Sequence, residues 1–139
     1  MFKQILILIF VCHSNLAGAS KIKHYDSHGY YTGRSEENKN QTRTYDKNGY
    51  LLENKKVQGS ESKYYDKHGY YQGRTEKKGN QIRDYDKNGY LRGKSEIHNN
   101  EIKHYDSRGY YVGKTIQQGN KEIYYDKNGY ISGRSIYSK

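Results

Sequence analysis

The sequence predicts an all-β fold, built as tandem antiparallel β-hairpin repeats that form a meander sheet or a β-solenoid. Three observations carry that reading. A Tyr-Asp-x-x-Gly-Tyr frame recurs every twenty residues, at Tyr25, Tyr45, Tyr65, Tyr85, Tyr105 and Tyr125, and self-similarity at such a period marks a repeat architecture. Turn signals punctuate the chain so closely that the segments between them are too short for independent helices. Pro is absent, so no residue is barred from donating to a strand ladder.

Residues 1–19 read as a secretory signal peptide. Lys3 provides a basic start, Ile5 to Val11 an apolar run too short to cross a bilayer, and Ala17-Gly18-Ala19 the small residues of a cleavage site. Ala19 stands where a lipidated cysteine would be required, so no lipid anchor is expected. The single cysteine, Cys12, lies within this leader, which removes disulfides and thiolate metal sites from the expectations for the mature chain. Residues 20–139 hold the six repeats, and no other apolar stretch is long enough to span a membrane as a helix.

Within each repeat the frame is first a turn. In Asp86-Lys87-Asn88-Gly89, the Asp accepts backbone hydrogen bonds, the middle residues suit a type I turn, and Gly89 supplies positive φ at a bulge. A second turn falls halfway between frames, at Gly59-Ser60, Gly79-Asn80, Asn99-Asn100 and Gly119-Asn120, with Lys39-Asn40 the least favourable of the five. Together these turns delimit about twelve short strands.

Strand alternation then assigns faces. After each frame, one face carries Tyr30, Tyr50, Tyr70, Tyr90, Tyr110 and Tyr130, followed by a cationic column of Arg34, Arg74, Lys94, Lys114 and Arg134 that is broken at Asn54. The other carries Tyr31, Leu51, Tyr71, Leu91, Tyr111 and Ile131, followed by glycine and small residues, and reads as the packing face. In residues 20–139 the 18 tyrosines outnumber the 13 Leu, Ile and Val residues, so aromatic rings are expected to replace an oily core. Odd copies read Tyr-Tyr after the frame glycine and even copies Tyr-Leu or Tyr-Ile, so the true unit is either twenty or forty residues.

The stretch Tyr124-Tyr125-Asp126-Lys127-Asn128-Gly129-Tyr130-Ile131-Ser132-Gly133 resembles the cell-wall-binding repeat, also known as the choline-binding-type repeat. The resemblance covers residues 24–135 and implies a hairpin solenoid that holds choline or glycans between successive hairpins. That family carries Trp after its second glycine, where this chain has Arg34, Arg74, Lys94, Lys114 and Arg134; a cation in place of a cage ring turns the expected ligand from choline toward an anion. The Tyr-Asp-x-x-Gly core is also similar to the YD repeat of Rhs-type toxin shells, which have Arg-Leu after the glycine and enclose a cargo domain.

Chemistry beyond this is sparse. No Ser-His-Asp arrangement, phosphate loop or nucleotide fingerprint is present, and the frame lacks the alternating acids and closing Glu of a calcium loop. The histidines read as surface residues of turns and strands, not as metal ligands. No catalytic residue and no cofactor are expected. The formal charge of +10 favours anionic partners. The sequence therefore points to a secreted or periplasmic, non-enzymatic repeat protein that binds an anionic polysaccharide or other polymer at a cell envelope or surface. In that reading Tyr30, Tyr50, Tyr70, Tyr90, Tyr110 and Tyr130 stack and Arg34, Arg74, Lys94, Lys114 and Arg134 pair with charge; nucleic acid ranks below a glycan as partner. The alternative is a structural protein whose exposed strand edges join chains into a fibre or surface layer.

Overall fold

The computed structural model describes residues 20–138, which form twelve antiparallel strands linked as hairpins, with no helix. The expected leader, residues 1–19, lies outside the described residues. The strands are β1 (Ser20–Asp26), β2 (Tyr31–Asn38), β3 (Gln41–Asp46), β4 (Leu51–Gln58), β5 (Glu61–Asp66), β6 (Tyr71–Lys78), β7 (Gln81–Asp86), β8 (Leu91–His98), β9 (Glu101–Asp106), β10 (Tyr111–Gln118), β11 (Lys121–Asp126) and β12 (Ile131–Ser138). Each repeat contributes one hairpin.

The sheet closes on itself. Every strand pairs with its sequence neighbours, and β1 also pairs with β12, from Lys21 opposite Ser138 to Asp26 opposite Gly133. The expected open meander or solenoid is thus corrected to a closed barrel, and with it the expected free edges: among the described residues both outer strands of the series are paired to each other. Stagger is the physical reason. Ile22 lies opposite Ser35, and Ser35 lies opposite Thr44. Thr44 is the counterpart of His24, so the register advances two residues per repeat, or one per strand. With about 3.3 Å of rise per residue and about 4.8 Å between strands, that stagger tilts the strands by roughly 35°, within the range at which sheets close.

The two turn types cap opposite ends of the barrel. At the frame end, Asp26 Oδ1 accepts from the backbone N–H of His28 and of Tyr30, each at 2.9 Å, and Gly29 N–H donates to the Asp26 carbonyl at 3.1 Å. All six copies repeat this bonding pattern. The Asp column is therefore spent on its own backbone. At the other end, two-residue loops connect the repeats, and their first residue has positive φ: Gly59, Gly79 and Gly119 near +60°, Lys39 at 51° and Asn99 at 54°.

A bulge follows each frame, because Tyr31 lies opposite Tyr25 while Gly33 already lies opposite His24. The extra residue reverses the expected facing. Tyr31 is outside, edge-on to Tyr25 at 6.0 Å, whereas Gly33 and Ser35 are buried in the lumen. The bulge also settles the repeat length. Gly33, Gly73 and Gly113 have φ between 149° and 154°, and a Cβ at any of them would collide with the carbonyl of the facing strand. Their even counterparts are Glu53, Gly93 and Gly133, and none of these has positive φ. The backbone itself alternates, so the forty-residue beat is structural.

The lumen is filled mainly by hydroxyl side chains. Ser35, Ser62, Thr75, Thr115 and Ser135 are buried alongside only three buried hydrophobic residues, Ile22, Tyr64 and Ile82. The aromatic layer expected as the core is instead largely on the outer wall and the rim. Inside, one column is polar and varies among the repeats: His24, Thr44, Tyr64, Asp84, His104 and Tyr124. A chain of contacts runs from it around five strands. Tyr124 Oη lies 3.1 Å from Glu122 Oε2 and 2.6 Å from Ser135 Oγ. Ser135 Oγ lies 2.8 Å from His24 Nδ1, His24 Nε2 lies 2.8 Å from Ser35 Oγ, and Ser35 Oγ lies 2.9 Å from Thr44 Oγ1. Since buried polar groups are costly unless bonded, this network does for the barrel what apolar packing does elsewhere.

Candidate functional site

Each cation of the column predicted from the sequence projects from the outer wall. Strand pairing sets Arg34 opposite Tyr45, Arg74 opposite Tyr85, Lys94 opposite Tyr105 and Lys114 opposite Tyr125, and the closing pair sets Arg134 opposite Tyr25. Arg34 Cζ sits 4.6 Å from the Tyr45 ring centre, Arg74 Cζ 4.4 Å from that of Tyr85, Lys94 Nζ 5.5 Å from that of Tyr105 and Lys114 Nζ 5.7 Å from that of Tyr125. Each such contact attracts the cation to the face of the ring, weakly because the site is exposed. Where Asn54 breaks the column, Lys56 fills the gap and lies 5.1 Å from the Tyr65 ring centre.

The sequence reading missed a second cationic column, because it belongs to the other strand of each hairpin. Lys23, Arg43, Lys63, Arg83 and Lys103 also face outward. Four of them lie directly opposite members of the first column, as Lys23–Arg34, Lys63–Arg74, Arg83–Lys94 and Lys103–Lys114. Like charges in facing positions destabilise a sheet. Carboxylates offset them in part: Glu36 lies 3.1 Å from Arg34, Glu76 3.1 Å and Glu61 3.7 Å from Arg74, and Glu101 3.6 Å from Lys114. The side-chain hydrogen bond to Glu36 raises the pKa of Arg34, and that to Glu76 raises the pKa of Arg74. Hydrogen bonds and attraction to one neighbour do not cancel the belt, since such exposed pairs are weak.

The predicted stacking tyrosines occupy a different place. Tyr30, Tyr50, Tyr70, Tyr90, Tyr110 and Tyr130 form a crown at the frame end, each between 68% and 72% exposed. The rings that the cations cover are those of the Tyr45 series, so the structure sets two columns expected on one face at separate levels of the barrel. Two histidines join the crown: the His28 ring centre lies 6.4 Å from that of Tyr30, and His68 lies 6.4 Å from Tyr70. Arg92, two residues before Lys94, turns to the rim, and its Nη2 lies 3.0 Å from Asp84 Oδ2.

His24 and His104, read as surface residues, are corrected to lumen residues. His104 is bracketed by Ser95 Oγ and Thr115 Oγ1, each at 2.8 Å, and burial lowers its pKa to about 4. Burial likewise lowers the pKa of His24. Burial raises the Glu53 and Glu122 carboxyls to about 7 and lowers the Lys55 ammonium. The signal for these residues was present in the sequence. Positions that vary among six otherwise similar copies, at a fixed offset before Tyr-Asp, are those that share the enclosed space. Among the described residues no group of three His, Cys, Asp or Glu side chains is arranged to hold a metal ion.

No protein-family model matches this chain, and a search of curated proteins finds no significant relative.

Proposed function

We propose that this protein is an exported, non-catalytic β-barrel that binds an anionic or glycan polymer at a cell envelope or surface, with the outer cationic belt as its principal contact and the tyrosine crown as a stacking face. The facing pairs of like cations on the outer wall carry this reading. A protein that needed only solubility would gain by interspersing acids at those positions. Keeping Lys and Arg across from each other concentrates positive potential in stripes around the barrel, which is what an extended polyanion requires. Flat rings between the stripes add stacking on sugars or bases, and repetition multiplies weak contacts along a polymer.

The same wall argues against a lipid-facing role. Outer-membrane barrels present an apolar band to lipid and use strands of about nine to eleven residues. Here the outward positions set Lys, Arg and Glu among the tyrosines, which leaves no continuous apolar band, and the strands run six to eight residues.

Retention of the protein on immobilised acidic polysaccharides, neutral polysaccharides and nucleic acid, followed by salt elution, tests the proposal. Acidic glycans are expected to retain it and to release it with rising salt. Replacing Lys63 and Lys103 by Gln is expected to weaken retention while leaving stability unchanged or slightly higher, because a repulsion is removed. Retention that ignores salt, or that ignores both replacements, overturns the reading.

A further inference from the structure

The barrel encloses a cavity of about 500 Å³, within the range of small-molecule sites. It lies to one side of the lumen, against β1 to β4 and β10 to β12. Tyr64, Ile82, His104 and the Asp84–Arg92 pair occupy the opposite side. At the crown end it is lined by Thr32, Val112 and Ser132, all exposed. The counterparts of these small rim residues in the third and fourth repeats are Gln72, which bonds back to Asp66 Oδ2 at 3.1 Å, and Arg92. The rim is thus open over the cavity and occupied over the filled half.

The repeats depart from their own pattern most sharply in the wall of this space. Glu53 stands where the other five copies have glycine. Lys55 stands where they have Ser35, Thr75, Ser95, Thr115 and Ser135. Both point into the cavity from β4, and Glu37 meets them from β2. Burial lowers the pKa of the Lys55 ammonium, and the attraction of Glu37 and of Glu53 opposes that shift, so the three charged groups share one wall of the cavity. Thr42, Thr44, Ser35 and Ser132 add hydroxyls that both donate and accept. Departures this local, in copies that otherwise keep their register, mark a selected interior.

We infer that the lumen binds a small organic cation that also carries hydroxyl groups, a molecule of the size and chemistry of an amino sugar, with its ammonium against Glu37 and Glu53 and its hydroxyls against the threonines of β3. This goes beyond the polymer-binding reading and does not depend on it, since none of these residues lies on the outer belt. Burial already disfavours the Glu53 carboxylate, and an entering ammonium restores its charge. Lys55 is attracted to the same carboxylates and so competes with the ligand for them.

Titration calorimetry on the purified protein with glucosamine, glucose and 1,4-diaminobutane tests this. Glucosamine is expected to bind, and glucose, its neutral counterpart, to bind at least roughly tenfold more weakly, the worth of one charge-assisted contact. Weaker binding of diaminobutane supports the role of the hydroxyls, and equal binding removes it. Glu53→Gln is expected to weaken glucosamine binding by a similar factor. Lys55→Ser, which restores the residue common to the other repeats, is expected to tighten it. Tyr110→Ala, on the crown, is expected to leave it unchanged, which separates failure of this site from failure of the polymer surface. Absence of glucosamine binding at millimolar concentration, equal binding of glucose, or affinities unmoved by both lumen variants overturns the inference.

Discussion

His24 Nδ1 lies 2.8 Å from Ser135 Oγ across the seam where the first strand meets the last, joining residues 111 positions apart. The other ring nitrogen reaches Ser35 on β2, so one imidazole ties three neighbouring strands at the only junction not closed by a hairpin turn. Replacing His24 by Ala removes two buried contacts and leaves two serine hydroxyls short of a partner. The expected loss is about 2–3 kcal/mol in urea denaturation, and exchange of the β1 and β12 amides should accelerate more than that of β5 and β6. A loss spread evenly over all strands would show that the seam is not the weak point.

Glu122 gives the pH dependence a definite sign. Its folded carboxyl titrates near 7 because burial favours the neutral form, against an ordinary value of 4.5. Its contribution is therefore complete below the ordinary value and disappears as pH rises through about 7. For Glu122→Gln, stability relative to the parent should improve by up to roughly 3 kcal/mol between about pH 5 and pH 8. His104, lowered to about 4, acts in the opposite sense: its contribution is present above the ordinary histidine value and is lost as pH falls through the folded one. Denaturation series at the two pH values, run on parent and Gln variant, distinguish the effects. A difference that does not change with pH would place Glu122 in an ionised state throughout.

The bulge glycines should divide into two classes. Gly113 has φ of 149°, and an added Cβ would strike the Tyr125 carbonyl. Gly133 has no positive φ, and its added Cβ would lie 2.9 Å from the Tyr25 carbonyl. Gly113→Ala is expected to cost about 3 kcal/mol or more, and Gly133→Ala about 1–2 kcal/mol. Thermal unfolding of the two single variants compares them, and equal costs would remove the backbone basis for the alternation of odd and even repeats.

Lys39 offers the reverse case. It occupies the first loop position with φ of 51°, where three of the other four inter-repeat loops have glycine. Lys39→Gly should raise stability by about 0.5–1 kcal/mol, since relief of the left-handed strain exceeds the added freedom of the unfolded chain. An unchanged or lower midpoint in urea would mean that the lysine side chain contributes something that offsets its backbone strain.

The local half of this fold was legible in the residues. Asp-x-x-Gly-Tyr fixes a turn through its own hydrogen bonds, and Gly-Asn dipeptides fix the intervening loops, so hairpins, strand lengths and period followed from chemistry within a few residues. Closure was not legible in that way. It depends on the stagger between strands, one residue per strand, which arises from the bulge at Tyr31–Gly33 acting with the loop geometry. The same bulge moved Tyr31 and its counterparts to the outer wall, which pure alternation had assigned to the packing face. For the candidate site, the cations Arg34, Arg74, Lys94, Lys114 and Arg134 were visible as a column, but the opposing Lys23 series required knowing which strands face each other. The lumen histidines and Glu53 were hidden by a bias of repeat reading: attention goes to what recurs in every copy, whereas Glu53 and Lys55 matter because they break the pattern.

Closure by stagger ties girth to copy number. Each hairpin adds a fixed increment to the circumference, and the alternating backbone means that only pairs of copies can be inserted or lost without setting two odd units side by side. Recombination between such copies would therefore change the bore in discrete steps of one such pair, while the outer belt of charge, to which every unit contributes a Lys or an Arg, would survive each step. A scaffold of this kind separates the evolution of its interior from that of its surface.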